Sequence, residues 1–565
     1  MTTFDEDKSN KQLGEIHKEE EEELVQMLAE SKYNLPYINL GGLAIDNESL
    51  RYISEADSRK LNVAPFKLSG KNISIALRSP DPDLMDKFKK EMEDKNLNTL
   101  FFMASTASLT KVWDRYSELS MAENSKVGGL DISGEVLMET AGKIKMMQDV
   151  EKLITEALNN GQTHKISRIL EIILAGAISI KASDIHMEAE EARARLRFRL
   201  DGVLQDVMFF GLDIYRLLNS RLKLLSGMKL TSKTAQDGRF SIMIGGEEIS
   251  IRNSMIPGAY GESIVMRILD PKSIQVNLED MGIDPFLFNI IQNEIAKPNG
   301  MILVTGPTGS GKTTTLYAFL RKIYSSEIKI ITIEDPVEYH LAGITQTQTD
   351  AKKGYTFLEG LRSALRQDPD VVMVGEIRDS ETAKIAVESA LTGHLVFSTL
   401  HTNNAAGVIP RLIDLEVNPK ILVSALSLSI AQRLVRKLCK ECKQEIPPTE
   451  EETKTIKMIL EGAVAEGKDL KKYNVDINAP IKLFKAVGCE KCNMTGYKGR
   501  MGIFEAIKTD EAIEKIMPNN PSEREIKKIA STQGILSMRQ DGIIKIFTGV
   551  TSYDEVKSVV DFMEE

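Results

Sequence analysis

The stretch Gly306-Pro307-Thr308-Gly309-Ser310-Gly311-Lys312-Thr313 fits the pattern G-x-x-x-x-G-K-[ST] in full. Glycines there permit positive φ and let backbone N–H groups approach phosphate oxygens. Lys312 would place a compact charge on the β- and γ-phosphates, and Thr313 would offer a hydroxyl to Mg²⁺. The apolar run Met301–Thr305 predicts a buried strand before the loop. Thr314–Tyr324 predicts a helix after it, with its positive end aimed at the phosphates. A chance match to eight residues would not bring this strand–loop–helix context with it. Residues 306–314 are therefore the candidate phosphate cradle, Thr314 included.

Working outward, Lys329–Ile333, Asp370–Val374 and Leu395–Thr399 are further short, β-branched, apolar runs separated by helix-like stretches. That alternation predicts a parallel sheet covered on both faces, from about residue 285 onward. Ligands in such sheets sit at the carboxyl ends of the strands. Glu334, Asp335 and Glu338 follow one strand, Glu376 another, and His394 and His401 belong to a fourth. An acid in this place can hold Mg²⁺ or its water, or orient an attacking water. Singly, each acid reads as a helix cap or a surface charge. Four strand ends behaving alike make a catalytic site, with Glu376 and Glu338 expected to act on water and Glu376 with Thr313 to hold Mg²⁺. Glu334, His394 and His401 are expected at the nucleotide; the histidines fit ligand sensing or a structural role equally.

The chain has 565 residues and a net charge of −10, long enough for three or four domains. Seven of those net negative charges lie in residues 1–30, an acidic tail; the rest is close to neutral and argues against a protein that coats nucleic acid. Residues 31–122 mix strand-like runs (Leu35–Leu40, Asn72–Leu77) with a helix at Asp83–Asp94, a small α/β domain in which Trp113 reads as core. Residues 123–165 read as a partly helical linker. In residues 166–272 a helix over Ile169–Ala182 leads to alternating strands, Ala194–Leu200 and Phe240–Ile244 among them. No run of eighteen apolar residues predicts a membrane span, and no signal peptide is expected.

All four cysteines fall in Cys439-Lys-Glu-Cys442 and Cys489-Glu-Lys-Cys492. Two C-x-x-C pairs are the spacing of a tetrahedral thiolate Zn²⁺ site. Redox pairs would need a strand–turn–helix context that neither has; plain structural thiols are the other alternative. The module 439–492 would clasp a long insertion, with Pro447–Lys485 helical in part.

Taken together, Gly306–Leu316, Glu334–Tyr339, Leu361–Asp370, Gly375–Asp379 and Leu391–Thr402 resemble the phosphate loop, Asp box, second acidic box and His box of bacterial secretion ATPases, which drive type IV pilus assembly and type II secretion. The likeness is close over residues 166–565 and loose over 31–122. It extends through Ala182–Glu188, Arg197–Gly202, Gln236–Arg239 and Tyr260–Leu269, and departs at Thr231–Ala235 and Thr349-Asp350. The resemblance implies a multidomain α/β protein: a RecA-like P-loop ATPase core (285–565), an α+β N2 domain (166–272), an N1-type docking domain (31–122) and a zinc-binding insertion. It implies a homo-hexamer that binds ATP and Mg²⁺ between N2 and the core, with Arg252 and Arg267 on the γ-phosphate and Arg239 nearby. It also implies a cytoplasmic location at the inner-membrane face and a membrane platform protein as partner. Some relatives bind a cyclic dinucleotide through paired Arg-Leu-Gly-type motifs; here only Gln12-Leu13-Gly14 approaches one, so that binding is not expected. Pilus assembly is the first reading, with type II secretion or a DNA-uptake pseudopilus as the alternative. A RecA-like nucleic-acid translocase and an idle scaffold are more distant ones.

Overall fold

The computed structural model describes residues 21–563, apart from 42, 44, 51, 70–71, 94, 96, 117–133, 160–164, 231–233, 245–246, 271–275 and 474. Gln12-Leu13-Gly14, residues 1–20 of the acidic tail and Thr231–Lys233 thus lie outside the described residues. The chain divides into two compact units, Met1–Asp131 and Ile132–Glu565.

The first unit holds a three-stranded sheet in the order β1 (Val63–Ser69), β2 (Asn72–Leu77), β3 (Asn98–Met103). β1 and β2 are antiparallel, β2 and β3 parallel; the helix Pro82–Glu93 makes the crossover that a parallel pair needs. Leu35–Leu40 does not form the expected strand. It contributes a single bridge, Tyr37 to Met103, because Pro36 has no N–H to donate to a ladder. Trp113 is core, as its indole N–H donates to the Val63 carbonyl at 2.9 Å.

The second unit begins with the helices Gly134–Gly142, Met147–Asn159 and Lys165–Ser179. They lead to a six-stranded antiparallel sheet of β4 (Asp184–Ala189), β5 (Ala194–Leu200), β6 (Val203–Phe210), β7 (Gln236–Ile244), β8 (Glu247–Pro257) and β9 (Glu262–Leu269). Its order is β6-β5-β4-β9-β8-β7. Burial alternates strictly along β5, as it must where one face packs and the other stays open.

Seven strands form the larger sheet: β10 (Gly300–Thr305), β11 (Ile330–Glu334), β12 (Thr345–Gln348), β13 (Val371–Val374), β14 (Leu395–Leu400), β15 (Leu426–Leu438) and β18 (Tyr497–Lys508). The order is β12-β11-β13-β14-β10-β15-β18, parallel throughout except for the last pair. β10, β11, β13 and β14 are buried along their whole length. Along β10, Met301 and Leu303 belong to one apolar core, Ile302 and Val304 to the other. That is the two-sided burial predicted from the unbroken β-branched runs. A short hairpin-like pair, β16 (Gln444–Ile446) with β17 (Leu483–Lys485), and the helix Glu450–Ala465 lie in the insertion between β15 and β18.

Candidate nucleotide and metal sites

Register levels the carboxyl ends of the parallel strands. Thr305 lies opposite Leu400, Val374 opposite Ser398, and Ile333 opposite Val374. The loop 306–311 therefore opens beside the residues that follow β11, β13 and β14. Gly306, Gly309 and Gly311 have φ of 138°, 81° and 90°, values that side chains resist. A Cβ at Gly306 would stand 2.4 Å from the Gln432 carbonyl oxygen. The helix Lys312–Ile323 starts at once. Ser310 Oγ is buried without a hydrogen-bond partner, an orphan of the kind a ligand satisfies. Lys312 Nζ donates to the carbonyls of Gly306 (2.8 Å) and Pro307 (3.2 Å). Burial lowers its pKa against the upward pull of Glu376. Pro307, Thr308 and Thr313 are exposed, and Thr314 is half-buried.

Glu376 follows β13. One carboxylate oxygen accepts from the Arg378 guanidinium, the other faces His401 Nε2 at 3.2 Å. Burial pushes its pKa up, but Arg378 and His401 outweigh that and hold it below the ordinary range. It is an ionised carboxylate beside the loop, suited to a cation or a polarised water. Glu334 is placed differently. It is buried, and accepts from Tyr317 of the loop helix, Thr332 (2.6 Å) and Gln346 (3.1 Å). Burial raises its pKa, with Glu338 adding to the rise. With both oxygens occupied, Glu334 ties β11 and β12 to the loop helix.

His394 is a correction. It precedes β14, and its carbonyl accepts from Gly300 N at the start of β10. It therefore stands at the amino end of the sheet, roughly 23 Å along the strand from His401 at ~3.3 Å per residue. Its Nδ1 lies 3.0 Å from the Ser389 carbonyl, a helix-closing role. The two histidines are seven residues apart on an extended strand, so they cannot share an end of the sheet.

The antiparallel sheet supplies the arginines. Register sets Arg239 opposite Arg252, Arg252 opposite Arg267, Arg267 opposite Asp184, and Asp184 opposite Arg199. Directly opposed residues share a face, and like charges there are unfavourable, so the row reads as a surface for anions. Asp184, buried, accepts from Arg267 Nε at 3.0 Å and pairs with Arg199 at 3.4 Å. Arg252 reaches across to the larger sheet, donating to Glu338 (3.1 Å) and the Val337 carbonyl. Arg239 is exposed.

A family model described as type II/IV secretion system protein matches residues 159–558. The chain belongs to that family. It is an ATPase of the secretion type, and its use of nucleotide follows from membership. A second model, the MshEN domain, matches residues 33–123. The type IV pilus assembly ATPase of Myxococcus xanthus is 35% identical over 539 residues, covering 95% of this chain and 91% of its own. The type II secretion system protein E of Pseudomonas aeruginosa is 46% identical over 395 residues, covering 70% of this chain and 75% of its own. Among solved structures, the ATPase DotB of Yersinia pseudotuberculosis shares the fold with a TM-score of 0.51 at 20% identity, over 70% of this chain and 94% of that one. No helix among the described residues is long and apolar enough to cross a membrane.

The secretion ATPase carries its cysteines at the open end of the β15/β18 pair. Leu438 pairs with Tyr497, and Cys439 N donates to the Gly496 carbonyl at 2.9 Å. The Sγ atoms of Cys439 and Cys489 lie 3.8 Å apart, Cys442 and Cys492 3.8 Å, Cys489 and Cys492 3.7 Å. A tetrahedron with ~2.3 Å metal–sulfur bonds has edges of about 3.8 Å. A disulfide needs ~2.05 Å, and all four thiols are free. Burial pushes Cys442 up to about 12. At Cys492 the N–H groups of Cys489 and Gly496 overcome burial and bring the thiol down to about 7. The donor set fits Zn²⁺.

Sequence reasoning missed Gln432, whose Oε1 accepts from Thr315 at 2.6 Å and which packs beneath Gly306 and Gly311. A glutamine following the apolar pair Ile430-Ala431 in β15 is its signal.

Proposed function

We propose that this secretion ATPase powers type IV pilus assembly as a homo-hexamer at the cytoplasmic face of the inner membrane. The observation that carries this is reach: the pilus assembly ATPase of Myxococcus xanthus aligns along 95% of the chain, N-terminal unit included, whereas the Pseudomonas type II protein aligns along 70%. The higher identity to the type II protein favours the second reading, secretion of proteins through a pseudopilus. Residues 31–122 serve as the docking domain for a membrane platform protein, 123–165 as the linker, and 166–272 as the lobe that closes on the core. Nucleic acid is not a partner. The test is cellular: a chromosomal Lys312→Ala replacement removes surface pili and leaves exoprotein secretion intact. Pili retained with secretion lost would overturn the first reading in favour of the second.

In this reading ATP lies between the loop 306–314 and the arginine row. Lys312 and the loop N–H groups hold the phosphates, and Thr313 with Glu376 holds Mg²⁺, which would neutralise charge on the triphosphate. Glu376 and Glu338 position water. Arg252, now bonded to Glu338 and the Val337 carbonyl, stands ready to meet charge on the terminal phosphoryl oxygens. Cys439, Cys442, Cys489 and Cys492 hold Zn²⁺. Arg252→Lys keeps the charge but loses the planar fork; the expected result is kcat lowered about 30-fold or more, with KM for ATP changed less than about threefold. Full activity in steady-state kinetics of that variant would remove Arg252 from the site.

A further inference from the structure

Behind the nucleotide end of the larger sheet lies a cavity of about 930 Å³, within the ~300–1,000 Å³ range of small-molecule sites. It is bounded by the loop after β14, by β15 and by the helices Glu523–Ala530, Met538–Phe547 and Tyr553–Lys557. None of its lining is needed for phosphate, Mg²⁺ or Zn²⁺.

One wall is apolar, made by Ile535, Leu536, Tyr553, Val560 and Phe562; the Tyr553 and Phe562 rings pack at 5.2 Å. The lining also carries cations, Arg433, Arg524, Lys528 and Lys557 among them. Of the four acids in the lining, Glu451 is exposed and the other three are engaged. Glu505 accepts from the N–H groups of Ala405 (2.9 Å) and Met538 (3.1 Å), Glu466 from Lys468 and Gln540, and Asp561 from Met563 N. Among the described residues Arg524, Lys528 and Lys557 make no ion pair, and Arg433 Nε is buried without a hydrogen-bond partner. Unpaired cations in a half-apolar cavity call for a ligand that brings both an acceptor and apolar surface.

The cavity also touches the machinery. Thr402 N donates to Thr305 Oγ1 at 2.8 Å, at the end of the phosphate-loop strand. Two residues on, Asn404 donates to Glu523 at 2.5 Å, and Ala405 N to Glu505. Arg433 follows Gln432, which holds Thr315 under the phosphate loop. An occupant therefore bears on the loop that leaves the end of β14 and on the strand that passes beneath the phosphate loop.

We propose that this cavity is an effector site for an amphipathic organic anion, with a phosphate, sulfonate or carboxylate head at Arg433, Arg524 and Lys528 and an apolar body against Leu536, Val560 and Phe562. The occupied site changes ATP turnover through the loop Thr402–Gly407. The turnover arm rests on the ATPase reading; the binding arm does not.

The test uses the full-length protein and 8-anilinonaphthalene-1-sulfonate, a sulfonate on an apolar body, followed by fluorescence titration. The expected result is one saturable site per chain, weakened about tenfold or more in R524E/K528E. Both residues are exposed, so the fold tolerates the change. Lys557→Glu, also exposed, decides the matter should the double variant lose its circular dichroism, and it too weakens the probe. Leu217→Ser, on an exposed apolar helix face elsewhere, leaves the affinity unchanged. Saturating probe alters wild-type ATP hydrolysis at least about twofold and leaves that of R524E/K528E unaltered. No saturable site, or equal affinity in the folded charge variants, overturns the site. Site-specific binding with unaltered hydrolysis overturns the coupling alone.

Discussion

Lys312→Ala turns ATP over about 100- to 1,000-fold more slowly than the native protein while keeping its fold. Removing one preorganised donor from developing charge typically costs that much in kcat. The ammonium sits at the mouth of the loop, hydrogen-bonded among the described residues to the Gly306 and Pro307 carbonyls. Stability falls by no more than about 2 kcal/mol. Two hydrogen bonds from a half-buried lysine contribute about 1 kcal/mol each, and alanine suits the first turn of a helix. Lys312→Arg does not rescue turnover, because a planar fork does not replace a compact point charge on the phosphates. Phosphate-release kinetics alongside thermal melting separate the two effects. Hydrolysis within about threefold of native in the folded variant would remove the phosphate loop from the chemistry.

The loop was legible because its information is local. Strand, turn and helix follow one another within two dozen residues, and the glycines state their own backbone requirement. The same holds for the buried parallel strands, whose β-branched runs admit few alternatives. What the sequence withheld is direction and register. His394 and His401 read as one cluster, yet a strand has two ends, and His394 is at the far one. Glu334 reads as a ligand; only the fold shows Tyr317, Thr332 and Gln346 closing on it. Resemblance names the arginines individually, but their alignment in one row with Asp184 and Arg199 exists only once five strands are in register. Gln432 is silent for the opposite reason: it acts by packing beneath the loop, and packing leaves no motif.

The tetracysteine module yields the second large effect. The expected finding is one zinc per chain by elemental analysis of reduced, full-length protein. Cys492→Ser then loses the metal and opens the module. Its fifty-residue separation from Cys442 is bridged because β15 and β18 pair along their length and deliver Cys439 and Gly496 to the same place. Isolated metal fingers draw ~10–16 kcal/mol from ligation. Here part of the fold stands without it, since Ile456, Ile459 and Leu460 of the insertion helix are buried in the main core. The loss should therefore be local. Amide hydrogen exchange in residues 439–446 and 483–500 speeds up about 100-fold or more, while β10 and β14 exchange as before. The knuckle also reaches beyond itself, with Asn493 Oδ1 accepting from Met147 N at 3.2 Å and Asp201 accepting from Gly499 N at 2.8 Å. Opening it frees the lobe that carries the arginine row from one tie to the core and the segment leading into that lobe from another, so turnover falls in the same variant although no phosphate contact has been touched. Protein free of zinc yet unchanged in exchange would leave the four thiols as ordinary packing.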